Sequence, residues 1–419
     1  MKRLIALIPC SCYNLHMKKE TKLNNKIDLF YKRNKNTPRV AFCLNFSLNS
    51  VEKSPGLYSA MTRLLMQGTK NYTAEQLAEE FDKYAIEFTC ELKQDYLRFR
   101  FMCLNEDFQK ALELTTEVIK NTTFEDFDRE IIKMQGEITA ELDSPRLQVV
   151  ENYYKNMFEG HSYGHTYTKI LDNIQNLKQE DVITAYQNIL NNSKKVIAFV
   201  GDLEFDMVNA DIIQYLGDLP HSNDEKANLE QAELTTNKNV EIIKQDLNQA
   251  HIVKGWLVPS YESDEYPAFV LLNTILGASG LSSRLFLELR DKKGLAYVVR
   301  SSYEPFARGA SFSIYIATEP KNIKISLDGF NEEIEKIRTV LVDDEELNNA
   351  KNNILGKWAF TQETNKQQAC LYAHHAILGL GFDFIEKVKQ EIKNVTAEQL
   401  LSCAHRYFNN ISVISVIKP

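Results

Sequence analysis

The sequence predicts an α+β protein of two homologous domains, each a mainly antiparallel sheet packed with helices. Its 419 residues exceed one ordinary hydrophobic core and suggest two or three domains. In each half, strand-like segments and long helical runs follow one another in blocks, without the strand–helix alternation of a parallel sheet. An internal repeat then sets the number of domains at two.

The repeat is clearest at the end of each half. Residues 176–200 (NLKQEDVITAYQNILNNSKKVIAFV) and 394–417 (NVTAEQLLSCAHRYFNNISVISVI) both predict a helix that ends at Asn-Asn and is followed by a β-branched strand. The offset, 394 minus 176, is 218 residues. The same offset carries the acidic helix start at 124–134 (FEDFDREIIKM) onto 342–352 (VDDEELNNAKN). Two matches at one offset predict a duplicated domain of about 200 residues.

The duplication divides the chain into four parts: an N-terminal extension (1–24), a first domain (25–220), a linker (221–239) and a second domain (240–419). The linker is polar, free of aromatic residues and without periodicity. In the first domain we predict strands at 39–50, 86–93, 96–104 and 195–200, the middle two forming a hairpin. We predict helices at 74–84, 106–120, 124–142, 145–158 and 178–190.

Composition and charge narrow the class of protein. Hydrophobic residues make up 44% and charged residues 25%, which is typical of a soluble globular protein. The net charge of −8 gives no reason to expect binding to nucleic acid or to an anionic membrane, both of which require a basic face. No apolar run approaches the roughly 18 residues of a membrane span.

The cysteines and the N-terminus bear on localisation. Seven cysteines are scattered along the chain, which disfavours a disulfide framework and favours a reducing compartment, so we predict a cytoplasmic protein. Export is the alternative, because Lys2 and Arg3 precede an apolar stretch that ends before Cys10. That stretch is shorter than the roughly 7–15 residues of a signal-peptide core, and Met17 offers a second possible start.

Two segments resemble the pitrilysin/insulinase family of zinc peptidases. Residues 277–299 (GASGLSSRLFLELRDKKGLAYVV) resemble a signature segment of that family, and residues 56–69 (GLYSAMTRLLMQGT) resemble its zinc helix. The match continues through the helix near Glu137, the segment 158–169 (FEGHSYGHTYTK) and the closing strands, and covers residues 25–419. The resemblance implies the mitochondrial-processing-peptidase-like, LuxS-type metallohydrolase fold in both domains.

The zinc helix departs from the family at the residues that carry the chemistry. Active members have H-x-x-E-H, which supplies two imidazole ligands at i and i+4 and a carboxylate general base. Here those positions hold Ser59, Thr62 and Arg63. A guanidinium has no lone pair to donate, and at about 4 Å and an effective dielectric near 20 it repels a divalent ion by roughly 8 kcal/mol. We therefore expect no metal in this chain and place zinc in a presumed partner.

The third ligand of the family maps onto Glu137, with Glu130 seven residues before it. We expect Glu137 to form a salt bridge with Arg63. Histidine pairs elsewhere are poor alternatives. His374 and His375 are adjacent and would point about 100° apart on a helix, and His161 and His165 match a family loop that holds no metal.

The second half retains two residues to which the resemblance gives a catalytic role. In two-chain members of the family, one chain binds zinc and the other supplies an arginine and a tyrosine, which map onto Arg290 and Tyr297. A phenol can donate to the oxyanion of a tetrahedral intermediate, which is typically worth about 2.7–4 kcal/mol, and a guanidinium can bind substrate carbonyls. Each residue taken alone could instead be a solvated helix charge or a half-buried strand aromatic, and Arg284 fits a structural role better.

Two functions follow from the resemblance. The first is a catalytically incomplete subunit of a heterodimeric zinc metallopeptidase, which binds short unfolded peptides for a zinc-bearing homologue inside a chamber of four domains. The alternative is a non-catalytic structural or peptide-binding homologue that serves as a scaffold subunit. Arg290 and Tyr297 favour the first, because a scaffold does not need them.

Overall fold

The computed structural model describes residues 18–48, 52–223, 230–245, 247–409 and 411–419. The signal-like stretch at 4–9, Met17, part of the predicted linker, the end of the strand predicted at 39–50, and Asn410 of the repeat lie outside the described residues. Within the described residues, no helix is both long and apolar enough to cross a membrane.

The first half forms a six-stranded sheet. Its spatial order is β1 (Lys18–Lys22), β2 (Asp28–Arg33), β6 (Lys195–Gly201), β3 (Arg39–Ser47), β5 (Tyr96–Leu104) and β4 (Glu87–Leu92). Neighbouring strands are antiparallel except β2 and β6. The hairpin predicted around Gln94-Asp95 is the β4–β5 pair, in which Leu92 faces Leu97.

The second half forms a five-stranded sheet of the same design. Its order is β7 (Lys238–Ile243), β11 (Val413–Lys418), β8 (Ala250–Val258), β10 (Gly309–Thr318) and β9 (Ala296–Phe306). Again one neighbouring pair, β7 and β11, is parallel and the others are antiparallel. The predicted fold class, with two homologous and mainly antiparallel sheets packed with helices, is confirmed.

Helices surround both sheets. Those of the first half are α1 (Leu57–Leu64), α2 (Ala74–Lys83), α3 (Phe108–Asn121), α4 (Phe127–Glu141), α5 (Pro145–Met157), α6 (Tyr167–Asn173), α7 (Gln179–Asn192) and α8 (Phe205–Leu216). Those of the second half are α9 (Tyr266–Asn273), α10 (Ile323–Thr339), α11 (Asp344–Phe360), α12 (Asn365–Ile377), α13 (Phe384–Asn394) and α14 (Ala397–Tyr407). Two π-helical turns, Thr274–Ala278 and Phe286–Lys292, follow α9.

The repeat is visible in the elements themselves. The 218-residue offset carries the start of α7 at Gln179 onto the start of α14 at Ala397, and the start of β6 at Lys195 onto the start of β11 at Val413. It carries α4 onto α11 to within one residue at each end. The helix–strand unit read from the sequence is therefore the structural repeat.

The described part of the predicted N-terminal extension belongs to the first sheet. Residues Lys18–Lys22 pair antiparallel with β2, in a register that places Lys18 opposite Lys32. All five residues are exposed and three are lysines, so the segment lacks the apolar alternation by which a strand is recognised. Lysine-rich edge strands of this kind discourage further strand pairing.

One helix of each half packs on the sheet of the other half. Helix α5 packs Val149 and Tyr153 against Val253 and Val413 of the second sheet. The Tyr153 hydroxyl lies 2.7 Å from Ser311 Oγ on β10. The ring lies against Gly255, where a Cβ would come within 2.2 Å of the phenol oxygen. The second half therefore depends on a helix that comes from the first.

The reciprocal contact joins α12 to the first sheet. Ala369, Tyr372 and Ala373 pack with Phe30 and Ala198 of that sheet. The rings of Phe30 and Tyr372 have centroids 4.1 Å apart. Each of these apolar clusters contains residues of both halves. Because burial of large apolar side chains is the main stabilising term in folding, each half contributes to the stability of the other.

Candidate functional site

Helix α1 carries the degenerate zinc motif. It follows Gly56, whose positive φ of 90° suits glycine, and its apolar stripe, which includes Met61 and Leu64, is fully buried in the first core. Ser59, Thr62 and Arg63 are half-buried beside that stripe. Thr62 Oγ1 donates to the Tyr58 carbonyl at 2.8 Å, so its hydroxyl is used within the helix.

Arg63 lies between two carboxylates of α4. Its Nη2 donates to Glu137 Oε2, and its Nη1 lies 3.7 Å from Glu130 Oε2. Glu130 is only 4% exposed, and Lys133 Nζ approaches its other oxygen at 3.7 Å. The predicted pairing of Arg63 with Glu137 is confirmed, and Glu130 joins it because residues seven apart lie on one helix face.

The residues at this position do not fit a zinc ion. A guanidinium stands between the two carboxylates, and it offers protons where a ligand must offer a lone pair. Serine and threonine replace the imidazoles on α1. In the part of the chain that the structure describes, no three His, Cys, Asp or Glu side chains are grouped so that they could hold a metal ion.

Three of the histidines considered as alternative metal ligands have other partners. His165 Nδ1 pairs with Glu52 Oε2 at 2.9 Å, whereas His161 Nδ1 accepts from the Tyr163 amide at 3.1 Å. His374 lies between two phenols, with Nδ1 3.0 Å from Tyr96 Oη and Nε2 3.2 Å from Tyr261 Oη. The contact with Tyr96 joins the two halves, and burial lowers the pKa of His374 to about 4.

Arg290 and Tyr297 are brought together by the second π-helical turn. The Arg290 guanidinium carbon lies 4.7 Å from the ring centroid of Tyr297 and 4.7 Å from that of Phe286, one turn earlier. Gly294, at φ 61°, reverses the chain between the turn and β9. Tyr297 is 77% exposed. Cation–π contact on both rings fixes the guanidinium and leaves the phenol free to meet a ligand.

A groove of about 640 Å³ opens beside this pair. It is lined by most of β9, from Tyr297 to Glu304, by the end of the first π-helical turn, and by Phe286 and Arg290. Among the described strands, β9 pairs on one side only, with β10. Residues of β9 line the groove, and the other edge of β9 has no strand partner among the described strands. A strand edge of this kind can bind an extended peptide as an added strand.

Arg284 has a structural role. Its Nε and Nη2 donate to the two carboxylate oxygens of Glu346 at 2.8 and 2.5 Å. This bidentate contact joins the signature segment to the first turn of α11, and the hydrogen bond to Glu346 raises the pKa of the guanidinium.

Sequence reasoning missed two parts of this site. It did not assign Phe286, although its position four residues before Arg290 is the spacing of a side-chain pair on one helix face. It also missed the open edge of β9, because strand order depends on contacts between residues far apart in the chain.

The two homologous domains, and the match of the signature segment and of α1 to peptidase motifs, indicate the peptidase-like class of protein. Residues 31–169 match the family described as insulinase (peptidase family M16), and residues 176–354 match the peptidase M16 inactive domain. The chain belongs to this family.

Relatives and solved structures agree with that assignment. An uncharacterized zinc protease of Rickettsia bellii is 24% identical over 87% of this chain and 88% of its own length. An uncharacterized zinc protease of Bacillus subtilis, YmxG, is 20% identical over 94% and 97%. The crystal structure of a peptidase M16 inactive domain from Pseudomonas fluorescens superposes with a TM-score of 0.85 at 20% identity, over 96% of this chain and 98% of that one. A protease from Helicobacter pylori gives 0.87 at 19% identity, over 96% and 99%.

Proposed function

We propose that this chain is the catalytically incomplete subunit of a heterodimeric zinc metallopeptidase. It supplies the groove and the Arg290–Tyr297 pair, and a homologous partner supplies the zinc. The observation that carries the proposal is the placement of an exposed phenol, held by a guanidinium, at the end of a groove along an open strand edge.

The groove defines how substrate is held. A peptide that pairs with the free edge of β9 is extended, so the substrate must be unfolded over the length of the strand. The backbone pairs with β9 through hydrogen bonds that any sequence can make, while the alternating side chains meet the groove walls. Leu281 and Val298 give those walls an apolar character. Substrates are therefore short, unfolded peptides.

Arg290 and Tyr297 have different roles on the bound peptide. The Tyr297 hydroxyl donates a hydrogen bond to the oxyanion that develops on the scissile carbonyl, so it acts mainly in the transition state. The Arg290 guanidinium binds a substrate carbonyl and keeps the Tyr297 ring in place. The partner's zinc supplies Lewis acidity and the activated water.

The dependence on a partner follows from α1 and α4. Arg63 occupies the position between Glu130 and Glu137, so the chain cannot assemble its own zinc site without losing that ion pair. A scaffold function is the second candidate, and the same Arg63 contacts favour it, because they stabilise the first half without any metal.

Reconstitution distinguishes the two candidates. The purified chain is mixed with a zinc-bearing homologue encoded in the same genome, and complex formation and hydrolysis of a quenched-fluorescence peptide library are measured. We expect neither subunit alone to be an efficient peptidase and the complex to be active. If the complex forms but is no more active than the zinc-bearing subunit alone, the catalytic role is contradicted and the scaffold function is supported.

A further inference from the structure

Two arginines from different halves lie against one tyrosine ring beside the groove. The guanidinium carbon of Arg146, in the first turn of α5, lies 5.5 Å from the ring centroid of Tyr315 on β10. The guanidinium carbon of Arg300 on β9 lies 5.8 Å from the same centroid. The two carbons are therefore at most about 11 Å apart, the sum of 5.5 and 5.8 Å. Arg300 also lines the groove, together with Arg290 and Tyr297.

The register of the second sheet sets this arrangement. Arg300 is directly opposite Tyr315 in the antiparallel pair, and residues opposite each other direct their side chains to the same face of a sheet. Helix α5 covers the face that carries Tyr315, and Arg146 comes from its first turn. His251 Nδ1 lies 2.9 Å from Tyr315 Oη and holds the phenol. The tyrosine is buried and fixed, whereas both arginines are exposed.

Neither arginine has a carboxylate partner among the residues that the structure describes. The chain has 57 Asp and Glu residues against 49 Lys and Arg, so carboxylates are abundant and yet none pairs with these two cations. Partial burial, followed by the charge of Arg146, lowers the pKa of Arg300 and of His251. Glu304, four residues along β9, opposes this effect on Arg300 more weakly, and its carboxylate accepts a hydrogen bond from Tyr154. The repulsion between the two guanidinium groups is one that a bound anion would relieve.

We propose that Arg146 and Arg300 form a subsite for an acidic side chain of the peptide substrate, three residues from the scissile bond. The inference rests on the proposed function, because it takes the peptide to lie along β9 with its scissile carbonyl opposite Tyr297. The spacing is 300 minus 297, or three residues. In an added strand, the residue opposite Arg300 directs its side chain to the face on which both arginines lie. An aspartate or glutamate at that place accepts hydrogen bonds from both guanidinium groups.

The other residues on this face of β9 restrict the preference to one position. Val298 and Ser302 lie two residues to either side of Arg300, and Glu304 lies two residues beyond Ser302. All of them line the groove. A peptide side chain opposite Glu304 meets a carboxylate, so an acid there is repelled. The face therefore selects an acid at one place along the peptide and does not favour acidic peptides in general.

The first test is peptide binding by this chain alone, which needs neither the partner nor zinc. Short unstructured peptides, blocked at both termini, carry Glu, Gln or Lys at one central position, and calorimetry gives their dissociation constants. We expect the Glu peptide to bind at least ~5-fold more tightly than the Gln peptide, and the difference to shrink as ionic strength rises. Equal dissociation constants for these two peptides, or no binding of any peptide in the millimolar range, would overturn the proposal.

Variants assign the preference to the two arginines. Arg146→Gln and Arg300→Gln should each remove most of the difference between the Glu and Gln peptides, and Arg300→Glu should shift the preference to the Lys peptide. Arg129→Gln is the control, because it removes the same charge from the first turn of α4, where Arg129 pairs with Asp126. It should keep the wild-type preference. A preference for Glu that survives the loss of both arginines would place the carboxylate elsewhere and overturn the proposal.

Cleavage by the reconstituted heterodimer separates this inference from the proposed function. In a set of peptides with Glu at each position in turn, the cut should stay three residues from Glu, with kcat/KM at least ~5-fold above that of the Gln peptides. Cleavage without a preference for Glu would overturn the subsite and leave the proposed function standing. Binding that depends on Arg146 and Arg300, without cleavage by the heterodimer, would support the subsite and contradict the proposed function. If the variants lose the partner and keep their peptide preference, the pair belongs to the subunit interface and the proposal is wrong.

Discussion

Arg63 on α1 and Glu137 on α4, 74 residues apart in the chain, are joined by a hydrogen bond from Nη2 to Oε2. Active members of the family place zinc at this position, and here a fixed positive charge of the protein takes its place between Glu137 and Glu130. Arg63 thus keeps a positive charge between the two carboxylates, but a guanidinium cannot supply the chemistry of a metal ion.

The first prediction concerns metal content. Because Ser59, Thr62 and Arg63 leave no imidazole on α1, we expect the purified chain to contain no stoichiometric zinc and to cleave no peptide. Elemental analysis after dialysis, together with a peptidase assay with and without chelator, measures both. About one tightly held zinc per chain with chelator-sensitive cleavage would contradict it.

The second prediction concerns stability. Arg63→Leu leaves the buried Glu130 carboxylate with Lys133 alone, so the free energy of unfolding should fall by about 1–3 kcal/mol. Glu137→Gln is the matched control: this side chain is 51% exposed, and its loss should cost less than about 1 kcal/mol. Urea unfolding of the three proteins decides the matter. Equal losses in both variants would show that Glu130 does not depend on Arg63.

The third prediction concerns catalysis by the reconstituted heterodimer. Tyr297→Phe removes one exposed hydroxyl, so kcat should fall by roughly 10²–10³ with little change in KM. Arg290→Ala should also raise KM, because a guanidinium on a substrate carbonyl acts in the ground state. Arg284→Gln is the control. It removes the ion pair with Glu346, so it should lower the free energy of unfolding while kcat and KM stay close to the wild-type values. Wild-type rates from Tyr297→Phe would remove the catalytic role.

The fourth prediction concerns acid stability. Burial, followed by the charge of His374, lowers the pKa of His375 to about 3 in the folded protein, whereas an unfolded chain has the ordinary value near 6.5. The unfolded state binds more protons between these values, so stability should fall as pH falls below about 6.5. His375→Phe should reduce the change of unfolding free energy with pH. His405 is exposed, and His405→Gln should leave that change as it is in the wild type. Urea midpoints between pH 7 and 4 measure it, and an unchanged slope in His375→Phe would contradict it.

The fifth prediction concerns the exchanged helix α5. Gly255→Ala places a methyl group 2.2 Å from Tyr153 Oη and 2.5 Å from the Phe312 carbonyl, so it should destabilise the protein by about 1–3 kcal/mol. Gly356→Ala is the control, because it adds a methyl group in open space within α11 and should stabilise by roughly 0.5–1 kcal/mol. Thermal unfolding of both proteins tests the pair. A neutral Gly255→Ala would mean that α5 does not pack closely on β8.

The sequence predicted those features that local pattern determines. The Asn-Asn pairs and the β-branched segments after them gave the repeat and its offset, because both are local signals. Helix α7 ends at Asn192 as predicted, whereas α14 ends at Tyr407, before the second pair. The Arg63–Glu137 contact was also predictable, since the third-ligand position and the arginine are placed by the same two helices.

Other features depend on contacts between distant residues. Nothing in the local sequence of α12 indicates that Ala369 and Tyr372 cover the sheet of the other half. Strand β1 was not predicted, because Lys18–Lys22 has no apolar alternation in its sequence. The segment is a strand through its hydrogen-bonded pairing with β2. The spacing of Phe286 and Arg290 is that of a pair on one helix face, but the π-helical form of the turn that carries them has no clear sequence signal.

The exchange of α5 and α12 bears on how such a molecule can originate. A polypeptide that consisted of one half would leave one face of its sheet bare, with the residues that now meet Tyr153 or Tyr372 open to water. It could cover that face by associating with a second identical polypeptide, each inserting its helix into the other. Fusing the two copies end to end would keep both helix contacts within a single polypeptide.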